Sequence, residues 1–336
     1  MNKVSDWKAP PGTPALLEEL DQLELLSNVM ELETQGFTVV PPEKVGSASF
    51  HEQVRDAVVR VAADRFKLSV EQVPNFFENR QENVRFMLWE DPIFESVLLN
   101  PAALGLVQYL VGTRCILSLC NGWLKGSYCD ERTPIHVDWT DFSVSTLPAE
   151  PNTANFNYLL TDYSREEGAL SFVPGSHRLC RFPTAEEVLT WADRAHPIEA
   201  PAGSMVVWGD HTWHGSFERK VPGLRIMMLG AYARPHLQTQ EPYRQTCTQE
   251  VLDRNPVRFA ALMDQYGKLP FGRDGVDLDH VQLNPADRAS YCSLFDQEPS
   301  NGRVRLRPDY DYYAFTGKKT ISYQKRAEYL KKGGHQ

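Results

Sequence analysis

A histidine and an aspartate two positions apart form the clearest chemical pattern in the chain. His136 and Asp138 lie in the segment PIHVDWT. On a β-strand, residues i and i+2 point to the same face, so one imidazole and one carboxylate can reach the same ion. A third ligand from a distant strand would give the two-histidine, one-carboxylate set of non-haem iron oxygenases. A surface strand with an ion pair has the same pattern, so the pair alone only suggests a metal site.

A second segment, GDHTWHGSFERKVPGLRIMMLGAYARP (209–235), contains two more histidines, His211 and His214, and then an apolar strand that carries Arg225. An arginine among Leu224, Ile226 and further apolar residues is costly to bury unless it meets an anion. The guanidinium group binds a carboxylate through two parallel hydrogen bonds. The sequence therefore predicts a carboxylate next to Arg225, which belongs either to the protein or to a ligand.

The elements that must position these residues change in character at residue 115. Before it, apolar residues three or four apart predict helices over 14–34, 47–66 and 93–111, with a short strand at 37–40 after Gly36. After it, short apolar runs alternate with Gly, Pro and Asn, which is typical of a sandwich or barrel. A helix is predicted within this part at Thr184–Ala195, where Thr184 and Glu187 form a capping-box pattern.

The predicted fold is mainly β with a helical flank. We expect a single domain over residues 1–336, with the helical flank at about 14–111, a β core at about 115–235 and a helical and loop extension at 236–336. The basic tail at 317–336 is expected to be a solvated terminal helix.

Composition limits the classes of partner. The chain has 336 residues, a formal charge of −9 and 42% hydrophobic residues, which suits a soluble globular protein. An acidic chain is a poor partner for nucleic acid or an anionic membrane surface. No apolar run is long enough for a signal peptide or a membrane span, and none of the six cysteines forms a CxxC pair. We expect a cytoplasmic protein with reduced thiols and no membrane insertion; the oligomeric state is not predicted.

The motifs in order are HxD (136–138), GALSFVPGSH (168–177), and WHGS (213–216) followed by Arg225. Together they resemble the phytanoyl-CoA dioxygenase family of Fe(II)- and 2-oxoglutarate-dependent oxygenases, clearly over residues 115–235. The resemblance implies a double-stranded β-helix core of the jelly-roll, cupin-like kind.

The resemblance also implies a role for each matching residue. His136, Asp138 and His214 match the iron ligands, and His211 is the competitor for the third position. Arg225 and Ser216 match the groups that hold the distal carboxylate of 2-oxoglutarate. The implied cofactors are Fe(II), 2-oxoglutarate and O2, and the implied reaction oxidises a small molecule with release of succinate and CO2.

The substrate and two alternative functions stay open at this point. A carboxylate at Asp138 argues against halogenation, because related halogenases carry a small residue there, and it favours hydroxylation, desaturation or another oxidative outcome. We expect a small metabolite or natural-product intermediate as substrate. The aromatic-rich segment at 73–91 has two explanations, core packing and a contribution to the entrance, of which core packing is favoured. The alternatives are a 2-oxoglutarate-independent metal cupin, such as a lyase or isomerase, and a non-catalytic binding protein. Arg225 counts against the first, and the complete set of ligands counts against the second.

Overall fold

The computed structural model describes residues 13–139 and 143–265, the backbone of 271–272 and 275–276, and residue 294. The helices in this part of the chain are α1 Thr13–Gln22, α2 Leu26–Gln35, α3 Pro42–Val45, α4 Ala48–Phe66, α5 Val73–Phe76, α6 Pro92–Leu98, α7 Pro101–Val111, α8 Ala185–Trp191, α9 Tyr243–Thr246, α10 Gln249–Arg254 and α11 Val257–Leu262. The strands are β1 Phe37–Val40, β2 Gln81–Val84, β3 Ile116–Lys125, β4 Thr133–His136, β5 Thr153–Leu159, β6 Leu170–Phe172, β7 His196–Pro197, β8 Met205–Gly209, β9 His214–Ser216, β10 Arg225–Ala233, β11 Phe271–Gly272 and β12 Gly275–Val276.

Two antiparallel sheets build the core. The major sheet has the strand order β1-β8-β5-β10-β3-β2, and the minor sheet has the order β4-β9-β6-β7. Strands that are far apart in the chain alternate within each sheet, so the fold is a double-stranded β-helix, or jelly roll. This confirms the predicted fold class. The short pair β11 and β12 forms a separate ladder.

Strand β10 shows why the strands of the major sheet read as continuous apolar runs. Ile226, Met228 and Tyr232 point to the large core that the N-terminal helices cover. Arg225, Met227 and Leu229 alternate with them and line a cavity on the other face. Because both faces of the strand are covered, the alternation of apolar and polar residues expected for a half-exposed strand is lost.

Short sequence signals fix where the helices begin and end. Asn100 caps α7, since its side-chain oxygen accepts from the amides of Ala102 and Ala103 at 3.1 and 3.3 Å. Pro101 follows at the first helical position, where a missing N–H costs nothing. Gly36 ends α2 in the left-handed conformation, with φ of 88°, and leads directly into β1, as the sequence predicts.

Two predicted helices are each interrupted. The stretch 14–34 forms α1 and α2, separated at residues 23–25, where Glu24 has φ of 55°. The stretch 93–111 forms α6 and α7, because the cap at Asn100 begins a new helix. Apolar periodicity continues across both breaks, so it does not reveal them. Residue Thr184 and its capping box begin α8 as predicted, although the helix ends at Trp191.

Some expectations concern residues that lie outside the described part. The basic tail at 317–336 is among them, and the division into flank, core and extension stays a prediction. The described cysteines, at 115, 120, 129, 180 and 247, are all free thiols. No single described helix has both the length and the apolar composition to cross a membrane; the bent pair α6 and α7 meets that test only when taken together.

Candidate metal centre

The three predicted ligands converge at the open edge of the minor sheet. His136 ends β4 and His214 begins β9, and the two residues are directly opposite in the antiparallel register. Asp138 follows two positions after His136, with carboxylate oxygens 3.5 Å from Nε2 of His136 and 3.3 Å from Nε2 of His214. One ligand atom from each residue lies within 4.8 Å of the other two. Donors at this spacing can hold one metal ion.

Backbone carbonyls fix the orientation of both imidazoles. Nδ1 of His136 donates to the carbonyl oxygen of Pro134 at 2.8 Å. Nδ1 of His214 donates to the carbonyl oxygen of Thr212 at 2.9 Å. In both rings this leaves Nε2, on the side of Asp138, as the nitrogen available to a metal ion.

Two residues of the major sheet hold the carboxylate of Asp138. Nδ2 of Asn155 donates to Oδ2 at 2.5 Å, and the indole N–H of Trp208 approaches the same oxygen at 3.4 Å. Asn155 on β5 and Trp208 on β8 are themselves cross-strand neighbours. Sequence reasoning missed both, and the one signal available was a polar residue, Asn155, within a buried strand.

Burial and neighbouring charges set the protonation states of the three predicted ligands. Burial favours a higher pKa for Asp138, but the neighbouring His214 and His136 outweigh it and hold the pKa at about 2. Burial lowers the pKa of His214 to about 4, against the attraction of Asp138. For His136 burial acts in the same downward direction, yet the hydrogen bond and charge of Asp138 raise its pKa overall. At neutral pH the carboxylate is ionised and His214 is neutral, which are the states that bind metal.

Arg225 is the first residue of β10 and is only 2% exposed. Its Nη1 donates to the carbonyl oxygen of Gly168, and its guanidinium lies over the ring of Tyr163 at 5.4 Å. Within residues 13–139 and 143–265, no carboxylate lies within salt-bridge distance of it, and its buried Nε has no hydrogen-bond partner. The sequence left open whether the carboxylate beside Arg225 comes from the protein or from a ligand. The described part of the protein does not supply one.

Ser216 and Lys125 lie beside this arginine. The hydroxyl of Ser216 donates to Oγ1 of Thr133 at 3.0 Å and lies 3.4 Å from Nζ of Lys125. Lys125 is directly opposite Arg225 in the register of β3 and β10. Burial, and then the charge of Arg225, lower the pKa of Lys125 to about 7. The buried guanidinium of Arg225 lines the cavity, and Lys125 lies behind Ser216, so this part of the cavity is attractive to an anion.

The structure separates His211 from the cluster. Its Nε2 hydrogen-bonds to the carbonyl oxygen of Ala149 at 3.1 Å, and its ring packs against His177 with centroids 5.9 Å apart. Burial lowers the pKa of His211 to about 4. The geometry thus brings His214, and not His211, to His136 and Asp138.

A cavity of about 800 Å³ connects the metal cluster, Ser216 and Arg225. The aromatic residues of the segment at 73–91 pack in the core, which is the explanation that the sequence favoured. Phe76 and Phe77 contact Phe66, the last residue of α4, in tilted and edge-to-face arrangements, and Phe77 is fully buried in the core. The same segment reaches the cavity through polar side chains of β2 and the residues after it instead. Aromatic content alone does not distinguish core packing from a binding wall.

A double-stranded β-helix with two histidines and one carboxylate at its open edge has the architecture of the non-haem iron oxygenase class. The family model described as "Phytanoyl-CoA dioxygenase (PhyH)" matches residues 32–227, which is more than half of the chain and includes every site residue discussed above. The chain belongs to this family.

Individual relatives extend the comparison. "Dioxygenase af480" of Aspergillus fumigatus is 31% identical over 162 residues, which cover 46% of this chain and 50% of that protein. The structure of HygX from Streptomyces hygroscopicus with nickel and 2-oxoglutarate bound superimposes with a TM-score of 0.50 at 18% identity, covering 63% of this chain and 88% of HygX. The epimerase SnoN, in complex with Fe3+, alpha ketoglutarate and nogalamycin RO, gives 0.50 at 17% identity, covering 66% and 88%. The two structures show a shared fold.

Proposed function

We propose that the chain is a non-haem Fe(II)- and 2-oxoglutarate-dependent dioxygenase that oxidises a small molecule. One observation carries the proposal: the cluster of His136, Asp138 and His214 shares a cavity with Arg225, a buried guanidinium that has no acidic partner among the described residues. The first group suits a cation, and the second suits the carboxylate of an organic acid. HygX and SnoN, which bind a metal and 2-oxoglutarate on the same fold, support this combination.

The donor set fits Fe(II). Two imidazoles and one carboxylate, all held in place by hydrogen bonds, match the facial arrangement that leaves open positions for a co-substrate and dioxygen. When bound, Fe(II), 2-oxoglutarate and O2 supply the oxidising chemistry, with release of succinate and CO2. In this proposal His136, Asp138 and His214 are the metal ligands, and Asn155 and Trp208 keep Asp138 in position.

Arg225 and Ser216 would hold the distal carboxylate of 2-oxoglutarate. Arg225 keeps Nε free of protein partners, and its neighbour Lys125 adds positive charge behind Ser216. Leu170 and Met227 line the cavity between the metal cluster and this arginine, so they limit the access of water to the reacting atoms. The protein's contribution is to bind, orient and desolvate, while the cofactor supplies the reactivity.

Hydroxylation is the proposed outcome, on a small metabolite or a natural-product intermediate. Asp138 occupies the position where a halogenase of this kind would need a small side chain, which favours oxygen transfer over halogenation. The epimerase SnoN shows that the fold also serves another outcome. A gain of one oxygen atom in the product mass would identify hydroxylation, and a loss of two hydrogens would identify desaturation.

The 2-oxoglutarate-independent metal cupin is the weaker candidate. Such a protein would have no use for a buried guanidinium without an acidic partner, because leaving its donors unpaired destabilises the fold. The two candidates are distinguished by supplying Fe(II), 2-oxoglutarate and O2, with or without a small-molecule extract. Succinate should form if the protein is a 2-oxoglutarate-dependent dioxygenase and should not form if it is such a cupin.

The decisive experiment compares two buried histidines. Anaerobic addition of Fe(II) and 2-oxoglutarate should produce the visible charge-transfer absorption of their complex in the native protein. We expect His214→Gln to lose this absorption and the slow formation of succinate in air. His211→Gln is the matched control, because His211 is equally buried yet lies outside the cluster. If His211→Gln loses the absorption and His214→Gln keeps it, the assignment of His214 as the third metal ligand is wrong.

A further inference from the structure

Beyond the metal cluster, the floor of the cavity is an apolar stripe between two asparagines. The inner face of β10 contributes Leu229, Ala231 and Ala233 to this floor. The antiparallel registers place Asn121 of β3 opposite Leu229 on one side and Asn157 of β5 opposite it on the other. A ligand that lies on the stripe would therefore meet a carboxamide at each edge.

Both carboxamides have hydrogen-bonding atoms that the described protein does not use. Asn157 is 1% exposed; its Nδ2 donates to Sδ of Met227 at 2.9 Å, and its Oδ1 has no partner. Asn121 is 4% exposed; its Oδ1 accepts from the amide of Phe86 at 3.1 Å, and its Nδ2 makes no hydrogen bond to a described residue. A buried polar atom such as Oδ1 of Asn157 is costly unless a ligand or water pairs with it.

Another asparagine lies beside the cavity on the neighbouring edge strand. Trp123 of β3 lines the cavity, and Asn83 of the edge strand β2 lies directly opposite it. The buried Oδ1 of Asn83 also lacks a partner. An indole ring next to a carboxamide provides a flat apolar surface with a hydrogen-bonding group at its border.

Charged groups contribute little to this part of the cavity. The carboxylate of Glu241 is already engaged, since it accepts from the amides of Phe86 and Cys120 at 2.7 and 2.8 Å and from the hydroxyl of Tyr243. Arg85 is exposed at the rim. A ligand that carries several negative charges would thus lose its hydration without gaining buried counter-charges, which disfavours it.

We propose that this part of the cavity binds a neutral ring that has an apolar face and oxygen substituents on opposite edges. The apolar face lies on Leu229 and Ala231, and the oxygens pair with Asn121 and Asn157. Hydroxyl groups both donate and accept, as carboxamides do, so each edge can be satisfied without a formal charge. The inference rests on the proposed function, because it places this ring as the substrate of the same site. A sugar and a hydroxylated aromatic ring share this chemistry.

The test measures binding to the protein loaded with Mn(II) and 2-oxoglutarate, which avoids turnover. The probes are methyl β-glucoside for a sugar, 2,6-dihydroxynaphthalene for an aromatic ring that cannot chelate the metal, and acetyl-CoA for a polyanion. Quenching of tryptophan fluorescence reports occupancy, since Trp123 and Trp139 line the cavity. We expect at least one ring probe to bind more tightly than acetyl-CoA.

Substitutions then locate the contact. Asn157→Leu should weaken the bound ring probe about tenfold, the value for one lost hydrogen bond that leaves a ligand hydroxyl unpaired. Asn121→Leu, on the other side of the stripe, is a second variant in case the first does not fold. Asn75→Leu is the matched control, because Asn75 is exposed and away from the cavity, and it should bind the probe unchanged.

Separate results would overturn the inference and the proposed function. If the Fe(II)–2-oxoglutarate absorption forms but neither ring probe binds, or acetyl-CoA binds best, the neutral-ring inference is wrong and the oxygenase proposal stands. Unchanged probe affinity in both folded asparagine variants would also overturn it. If the absorption never forms, the proposed function itself fails.

Discussion

Replacing Arg225 with methionine should make the protein more stable and unable to bind 2-oxoglutarate. Methionine has a similar length and no charge, so it fills the space along β10 without desolvating a cation. In the native protein the guanidinium is 2% exposed, bonds to the carbonyl of Gly168, and leaves Nε unpaired. A binding group maintained at a cost to stability is expected at a functional site.

The magnitudes follow from the contacts. An unpaired buried donor costs about 1–3 kcal/mol and burying a cation costs several kcal/mol, whereas the hydrogen bond from the charged guanidinium contributes about 1.5–3 kcal/mol. Arg225→Met removes all three contributions, and it also removes one of the causes that lower the pKa of Lys125. We expect the free energy of unfolding without ligand to rise by at least about 1 kcal/mol. Two charge-assisted hydrogen bonds to a carboxylate contribute at least about 3 kcal/mol, so affinity for 2-oxoglutarate should fall by a factor of roughly a hundred or more.

Urea unfolding with and without Mn(II) and 2-oxoglutarate measures both effects. The native protein should be stabilised by the co-substrate, as any ligand that binds only the folded state stabilises it. The variant should begin more stable, and 2-oxoglutarate should add nothing to the stabilisation that Mn(II) alone provides, because the three metal ligands are intact. Arg114→Met is the matched control, because Arg114 is exposed and outside the cavity. A less stable ligand-free variant, or one that 2-oxoglutarate still stabilises fully, would refute the reasoning.

Three further outcomes are expected. Asn155→Ala should weaken Mn(II) binding about 10- to 100-fold in equilibrium dialysis, because it frees the metal carboxylate; unchanged affinity would exclude a positioning role. Lys125 loses its proton as the pH rises through about 7, and an anion binds best to its charged form, so 2-oxoglutarate affinity should fall above that pH; a Lys125→Met variant with the same pH profile would argue against this. Gly36→Ala should lower stability more than Gly112→Ala in urea unfolding. Both glycines have positive φ, but only at Gly36 would a Cβ meet another side chain, 2.5 Å from Nδ1 of His177.

Much of the site could be predicted from short stretches of sequence, because the types of its residues and of their neighbours indicate what each side chain must bind. The HxD motif keeps two ligands close along the chain, although β4 ends at His136 and Asp138 lies just beyond it, so the strand prediction holds only for the histidine. An arginine in an apolar strand must meet an anion wherever that strand is buried. The turn at Gly36 and the cap at Thr184 are local in the same sense, because each satisfies backbone groups within a few residues.

The support around Asp138 depends on strand order and was missed. Asn155 and Trp208 reach the carboxylate because β5 and β8 are neighbours in the major sheet. Nothing in either strand's sequence indicates which strand lies beside it. The breaks in the two long predicted helices were missed for a related reason, since tertiary packing maintains the same apolar face on both sides of each break.

The sequence by itself determined which residue types bear the chemistry, because a ligand motif and a misplaced charge are visible along the chain. Only the tertiary structure decided that His214, rather than His211, meets His136 and Asp138, and that Arg225 has no acidic partner in the described part. The pairing of β4 with β9 and of β10 with β3 and β5 makes those choices. Such pairings join residues that are tens to more than a hundred positions apart, and they are set by the burial of whole sheets, to which each short segment contributes only a part.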